Sequence, residues 1–311
     1  MKTAVIIGSL GQDGRILTRY LRDRQYSTVG IDIGHIESAS GSIKEPVNIS
    51  NRGEVEDFIR ALMPDELYYL AAVHHSAEEI LQTGYELFQK SFEINTFSLI
   101  YFLDAILKYS PQTRLFYAVS SHIFEEVDGM QDENSRIDPS SIYAISKSSG
   151  LFSCRYYRKE YGIFAACGIL YNHESSLRSD HFISKKIIKS AIRIRDGLQD
   201  KLILGDLSSE VDWGYAPDYV RAMHKILNLN NSDDFIIATG KMHSVAEFAE
   251  IAFRYLGLNW TDYVEEDKTI LNKKPVCRIG NPEKLMKSTS WKPSVGFEDM
   301  IKIMLEEEGA I

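Results

Sequence analysis

Two side chains four positions apart set the chemistry open to this sequence. In Tyr143-Ala144-Ile145-Ser146-Lys147, at the start of a helical pattern, the i,i+4 spacing puts phenol and ammonium on one face. An ammonium beside a phenol favours the phenolate and so lowers the Tyr143 pKa. Such a phenolate takes a proton from a substrate hydroxyl while hydride leaves the same carbon for a nicotinamide. Ser120 and Ser121, at the end of an apolar run, supply hydroxyls that can hydrogen-bond the same substrate oxygen.

A hydride acceptor needs a seat, and the N-terminal residues offer one. Gly8-Ser9-Leu10-Gly11-Gln12-Asp13-Gly14 follows a short apolar run and leads into a helical pattern. Glycines there permit a tight turn and close backbone approach to a pyrophosphate, while the helix N-terminus presents unpaired N–H groups to that anion. Asp32 ends the next apolar run, about 20 residues on, where a carboxylate accepts hydrogen bonds from adenosine ribose hydroxyls and repels a 2′-phosphate. The following Gly34-His35-Ile36-Glu37 holds no Arg to offset such a phosphate, so the cofactor reads as NAD rather than NADP. Asn48 ends a third apolar patch within reach of an adenine edge.

The elements that must position these residues follow from periodicity. Short runs rich in Val, Ile and Tyr predict strands over Thr3–Ile7, Thr28–Asp32, Leu67–Ala71, Arg114–Val119, Phe164–Leu170 and Asp234–Ala238. Amphipathic stretches predict helices over Arg15–Arg24, Arg52–Leu62, Tyr85–Lys108, Ser141–Tyr161, Phe182–Asp196, Pro217–Leu227, Val245–Leu256 and Phe297–Glu307. The alternation predicts an α/β fold, a Rossmann-type doubly wound parallel sheet with helices on both faces. Beyond about residue 170 strands thin out and turn residues cluster, which predicts a smaller C-terminal lobe.

Composition narrows the partners. The 311 residues carry 35 Lys and Arg against 44 Asp and Glu, a formal charge of −9. That balance argues against a general nucleic-acid binder but leaves room for a local basic pocket around a small anion. No apolar run reaches the ~18 residues needed to span a bilayer, and the N-terminus lacks the pattern of a signal peptide. Cys154, Cys167 and Cys277 are few, odd in number and far apart, which predicts a reduced, cytoplasmic protein with no metal site.

Together the glycine turn, Ser120, Tyr143 and Lys147 resemble the extended short-chain dehydrogenase/reductase family. Later segments are similar to its GDP-mannose 4,6-dehydratase branch: Tyr171-Asn172-His173-Glu174-Ser175, Phe182 to Lys186, Leu204-Gly205-Asp206, Asp212-Trp213-Gly214 and Trp291-Lys292-Pro293. The resemblance implies a cofactor domain of residues 1–170 joined by about 212–242, with 171–211 and 243–311 forming a sugar-nucleotide lobe. It adds Ile49, Leu70, Ala71, Ala72, Tyr143, Lys147, Leu170, His173 and Arg178 to the cofactor site beside Gly8, Gly11, Gln12, Asp13, Gly14, Asp32 and Asn48. His173 itself reads as structural, in a turn that passes the nicotinamide. For the GDP-sugar it implies Asn172 and Lys186 on the diphosphate, with His74, Ser121, Phe182, Leu204, Gly205, Asp206, Val211 and Arg278 around them. It also implies a homodimer through the helices Tyr85–Lys108 and Ser141–Tyr161, and leaves a tetramer open.

The sequence departs from the branch at telling places. A 4,6-dehydratase must oxidise C4, remove water across C5–C6 and return hydride to C6. The branch supplies the acid/base for the middle step from a Glu in T-S-E-L-Y. The corresponding run here is Ser120-Ser121-His122-Ile123-Phe124, so His122 occupies the Glu position, with Glu125 and Glu126 further on. Imidazole titrates near neutrality but differs from carboxylate in reach, shape and charge. The expectation is therefore oxidation at C4 of GDP-mannose or GDP-manno-heptose to a 4-keto sugar nucleotide without dehydration. A dehydratase using His122 as acid/base, a 4-keto reductase or epimerase, and a non-catalytic binding relative stand as alternatives. Val211 replaces an Arg that the branch places before D-W-G, and Lys273, Lys274 or Arg278 are left to supply that charge. The arginine loop of the branch, S-P-R-R-G, which reaches a neighbouring subunit's cofactor, reads Ser175-Ser176-Leu177-Arg178-Ser179.

Overall fold

The computed structural model describes residues 1–38, 46–73, 84–126, 129–271 and 277–311. Seven strands form one sheet: β1 (Thr3–Ile7), β2 (Ser27–Asp32), β3 (His35–Ser38), β4 (Glu66–Tyr69), β5 (Arg114–Ser120), β6 (Ala165–Leu170) and β7 (Asp234–Ile237). Their spatial order is β7-β6-β5-β4-β1-β2-β3. Every pairing is parallel except β2 with β3, which runs antiparallel in the register Asp32↔His35. The edge strand β3 corrects the expectation of a wholly parallel sheet: Gly34, at φ +63°, turns the chain straight back after β2.

Alternation along β1 explains the layers. Val5 and Ile7 face one way, onto α2 (Arg52–Leu62), α4 (Ser98–Tyr109) and α5 (Ile142–Tyr161). Ala4 and Ile6 face the other, onto α1 (Gln12–Arg22) and α7 (Ala216–Leu227). A third apolar cluster lies apart from the sheet. It joins α6 (Ile183–Arg195), α8 (Val245–Tyr255) and α10 (Phe297–Glu307) to Leu202, Leu204 and Trp213. Two-stranded pairs stitch this lobe on, among them Asn172–Glu174 with Trp213–Tyr215 and Met130–Gln131 with Ile279–Gly280.

Two helices differ from the periodicity in ways that bear on function. α1 starts at Gln12, not Arg15, so Gln12, Asp13 and Gly14 form its first turn. The Tyr85–Lys108 stretch is two helices, α3 (Tyr85–Phe92) and α4, separated by a π-helical turn at Glu93–Phe97. One further helix, α9 (Glu283–Thr289), has no counterpart in the periodicity reading. Among the described residues no helix is long and apolar enough to cross a membrane.

Candidate active site

The sheet order reverses between β1 and β4, which opens a crevice at the carboxyl ends of those strands. The glycine turn fills its floor. Gly8 has φ +90°, and a Cβ on it would lie 2.8 Å from the backbone N of Ala71, so the turn sits against the chain leaving β4. A Cβ on Gly14 would lie 2.2 Å from the Gly8 carbonyl oxygen, so only glycine lets α1 start this close to β1. Gly11 is the N-cap and has no side chain to satisfy the first-turn N–H groups. At the end of β2, the two Asp32 carboxylate oxygens accept N–H groups of Leu10 and Ile33, each at 2.8 Å. Each oxygen keeps a lone pair for a ribose hydroxyl. A bare helix N-terminus, a cradle that any Cβ would fill and a fixed carboxylate fit a dinucleotide.

The other expected cofactor residues divide. Leu70 and Ala71 line the exit of β4, Ala72 beyond them is exposed, and Leu170 ends β6. Ile49 packs onto the core beside α2. Asn48 is taken up in the cap of α2: its N–H donates to Glu54 at 2.8 Å and its side chain accepts from Ser50 N–H at 3.0 Å. Gln12 and Asp13 reach across to the second lobe. Gln12 Nε2 donates to the His173 carbonyl at 3.1 Å, and Asp13 Oδ2 lies 2.8 Å from His173 Nε2. Arg178 packs against its own chain. Its Nε lies 3.2 Å from buried Glu174 and its guanidinium covers the Phe182 ring at 3.5 Å. From there its charge is felt at Asp13, His173 and Tyr143.

Ser120 and Tyr143 come together in a side-chain hydrogen bond, and Lys147 lies one turn along α5 from Tyr143. Ser120 ends β5 and caps the 3-10 turn Ser121–Ile123, accepting the His122 N–H at 3.3 Å. α5 is capped by Ser141, whose side chain accepts from Ala144 N–H at 3.2 Å. At Gly150 a Cβ would fall 2.5 Å from the Tyr117 hydroxyl, so α5 presses directly on β5. That closeness lets Lys147 donate to the Ala118 carbonyl at 2.8 Å and lie over the Tyr117 ring at 4.8 Å.

The electrostatics differ from the expected phenolate. Burial lowers the Lys147 pKa to about 7. Burial also pushes Tyr143 up to about 12, against an opposing hydrogen bond with Ser120 and the charge of Arg178. The ammonium is aimed at the Ala118 carbonyl and does not lower the phenol's pKa. His122 is exposed and flanks the phenol, its ring 6.3 Å from that of Tyr143 and edge-on at 78°. Glu126 pairs with Arg278 at 3.4 Å and Glu125 with Arg136 at 3.5 Å.

One residue of this site escaped the sequence reading. Asn95, in the π turn, is fully buried. Its Oδ1 accepts the Val73 N–H at 3.0 Å and its Nδ2 donates to Ser146 Oγ at 2.9 Å. Ser146 in turn donates to the Tyr143 carbonyl at 2.8 Å, and Tyr117 donates to the Asn95 carbonyl at 2.7 Å. Asn95 thereby joins the exit of β4, β5 and the start of α5. The signal was an Asn-Thr pair between apolar Ile94 and Phe97 within a helical stretch.

The residues expected around a sugar nucleotide also sort by geometry. Asn172 lies in the strand opposite Trp213, and Lys186 sits half-buried one turn into α6, past Phe182 at its N-cap. Ser121 is buried beside Ser120. Arg278 is 9% exposed, and that burial lowers its pKa. Leu204 is fully buried in the lobe core. Val211 likewise packs on that core. A Cβ on Gly205 would strike the Leu271 side chain at 2.5 Å, and Asp206 closes a turn and pairs with Lys268 at 3.3 Å. Cys154 is packing, fully buried in the core. His74, Lys273 and Lys274 lie outside the described residues.

A family model described as GDP-mannose 4,6 dehydratase matches residues 5–304. GDP-mannose 4,6 dehydratase 2 of Arabidopsis thaliana is 35% identical over 328 residues, which take in 99% of this chain and 87% of that protein. Among solved structures, RMD from Pseudomonas aeruginosa complexed with NADPH superposes with a TM-score of 0.83 at 18% identity, covering 100% of both chains. A dTDP-glucose 4,6-dehydratase from Bacillus anthracis in complex with NAD also gives 0.83, at 17% identity, over 99% of this chain and 97% of that one. At such identities the likeness bears on the fold.

Proposed function

The chain belongs to the GDP-mannose 4,6-dehydratase family, and from that premise we propose that it oxidises C4 of a GDP-linked manno-sugar to the 4-keto product without removing water. The observation that carries this reading is the placement of His122, not a carboxylate, beside Tyr143 and Ser120. When bound, NAD supplies the acceptor for the C4 hydride. Ser120 hydrogen-bonds the O4 hydroxyl, and Tyr143 takes its proton as the carbonyl forms. Lys147, one turn along α5, anchors that helix to the Ala118 carbonyl of β5 beside them. Asn172, Lys186 and Arg278 are the groups we assign to the diphosphate, in the lobe of residues 171–211 and 243–311. NADH formed this way is not consumed on the same sugar, so a second oxidant must regenerate NAD.

The test is product mass. GDP-mannose and GDP-manno-heptose, each incubated with protein and NAD, should lose two hydrogens while NADH absorbance rises. Loss of one water with no net NADH supports the second reading, a dehydratase using His122 as acid/base. That reading is favoured by the closeness of the imidazole to Tyr143.

The same proposal assigns NAD over NADP to Asp32. A 2′-phosphate would meet a carboxylate already fixed by two N–H groups. NADH should bind at least about tenfold more tightly than NADPH by fluorescence titration, a like-charge cost of roughly 1.4 kcal/mol. Equal affinities would remove the role given to Asp32.

It also makes the active form a homodimer. Phe88, Phe97, Phe152, Tyr156 and Tyr161 are exposed along α3, the π turn and α5. A four-helix contact of two copies would cover them. Sedimentation should give a dimer, and Phe152→Asp with Tyr156→Asp should give a monomer. A wild-type monomer at micromolar concentration would overturn the assignment, and a tetramer would require a further surface.

A further inference from the structure

The buried pair of His173 and Asp13 takes no part in the proton and hydride transfers above. Its charge state follows from its partners. His173 Nδ1 lies 2.7 Å from the Tyr171 carbonyl oxygen and Nε2 lies 2.8 Å from Asp13 Oδ2. Both partners are acceptors, so the ring satisfies both only as a doubly protonated imidazolium facing a carboxylate. The ring is 7% exposed and stacks on Tyr219 of α7, with centroids 4.5 Å apart. Burial alone would favour the neutral ring, but the Asp13 carboxylate outweighs it and holds the His173 pKa above its ordinary value. Burial likewise disfavours the Asp13 charge, and His173 outweighs that too. The groups facing the ring are Asp13 from α1, Arg178 from the following loop, Tyr219 from α7 and the Tyr171 carbonyl. Arg178 is the one that opposes the proton.

Asp13 stands in the first turn of α1. That is the positive pole which a dinucleotide pyrophosphate would use. An uncompensated carboxylate at this place would cancel the pole. We propose that His173 is a positioning residue whose charge neutralises Asp13, keeping the N-terminus of α1 receptive to the pyrophosphate. The same pair fastens the helix to the strand carrying Asn172. A second thread runs beside it: Gln12 Nε2 donates to the His173 carbonyl at 3.1 Å, and Ser175 Oγ donates to Gln12 Oε1 at 2.9 Å. Cofactor affinity is thus set in part by a residue of the second lobe. The inference rests on the dinucleotide reading of the glycine turn.

NADH binding, followed by fluorescence titration between pH 6 and pH 10, tests it. His173→Gln keeps hydrogen-bonding capacity but loses the charge, and should raise Kd on the order of tenfold at pH 7. Adding Asp13→Asn should restore most of that loss. Wild-type affinity should weaken as pH rises above the ordinary imidazole range, and the double variant should show a flat profile there. His173→Gln binding like wild type, or no rescue by Asp13→Asn, would overturn the proposal. If His173→Gln does not fold by circular dichroism, the double variant decides alone. It buries no lone charge, and a profile that still falls with pH refutes the role. Wild-type protein that binds no dinucleotide brings down the reading of the glycine turn itself, and this inference with it.

Discussion

Tyr143→Phe is expected to lower the rate of NADH formation by about 10²–10⁴-fold while leaving NADH binding within about twofold of wild type. The substitution removes one hydroxyl. The ring, its edge-on neighbour His122 and the α5 backbone held through Ser146 all remain. What is lost is the group that receives the O4 proton, so the deficit belongs in the chemical step and not in affinity. The pH profile sharpens this. With the phenol at about 12, the base form is a minor species at neutral pH, so the rate should climb with pH. Lys147, at about 7, surrenders its charge only near neutrality, so above about pH 8 the slope should approach tenfold per unit. Full activity in Tyr143→Phe would move the proton transfer to another group, with His122 the first to examine.

Legibility of this chain in its sequence divided along the range of the interactions. β1 and α2 match their expected bounds residue for residue, because the short apolar run Thr3–Ile7 and the Asn51 cap before Arg52 are local causes. The Tyr143–Lys147 face and the glycine turn were equally local, and the structure brings them to the expected places. Distance in the chain hid the rest. α1 begins three residues early because Gly14 serves close packing against Gly8 rather than breaking the helix. The π turn exists because Tyr69 and Tyr117, on two other strands, each donate to a carbonyl of Glu93–Phe97. Asp212 read as part of a motif. It proves to be a buried junction that accepts from Thr239, Gly240 and Gly280, joining β7 to the second lobe. The raised Tyr143 pKa was also out of reach, since spacing shows that two side chains share a face but not that Lys147 is aimed at Ala118.

The acidic balance takes on a definite meaning in this light. A chain of net charge −9 with a dinucleotide and a nucleotide sugar as proposed ligands must gather anions by local means. The bare N-terminus of α1, the buried His173 beside Asp13 and the half-buried Arg178 beside Glu174 are such means, and Lys186 is the group proposed for the diphosphate. Arg178 is the clearest case. Its guanidinium lies over Phe182, where its charge acts on Tyr143.

His122→Glu is expected to change the product, not merely the rate. If wild type stops at the 4-keto sugar, the variant should release a product lighter by roughly one water, with NADH no longer accumulating. The reasoning rests on what elimination demands. Once C4 is a ketone, the C5 proton is acidified, and a group on the same side must remove it and deliver a proton to the leaving C6 hydroxyl. The 3-10 turn capped by Ser120 projects position 122 to the flank of Tyr143, so a carboxylate there stands beside the ring that faces C4. His122→Gln separates shape from titration: it should leave C4 oxidation intact if His122 takes no part in it. Dehydration by wild type that is abolished in His122→Gln would instead make the imidazole the acid/base. A wild type and a His122→Glu variant that both stop at the ketone would show that position 122 alone does not decide the outcome. The C5 proton would then lack a second partner as well.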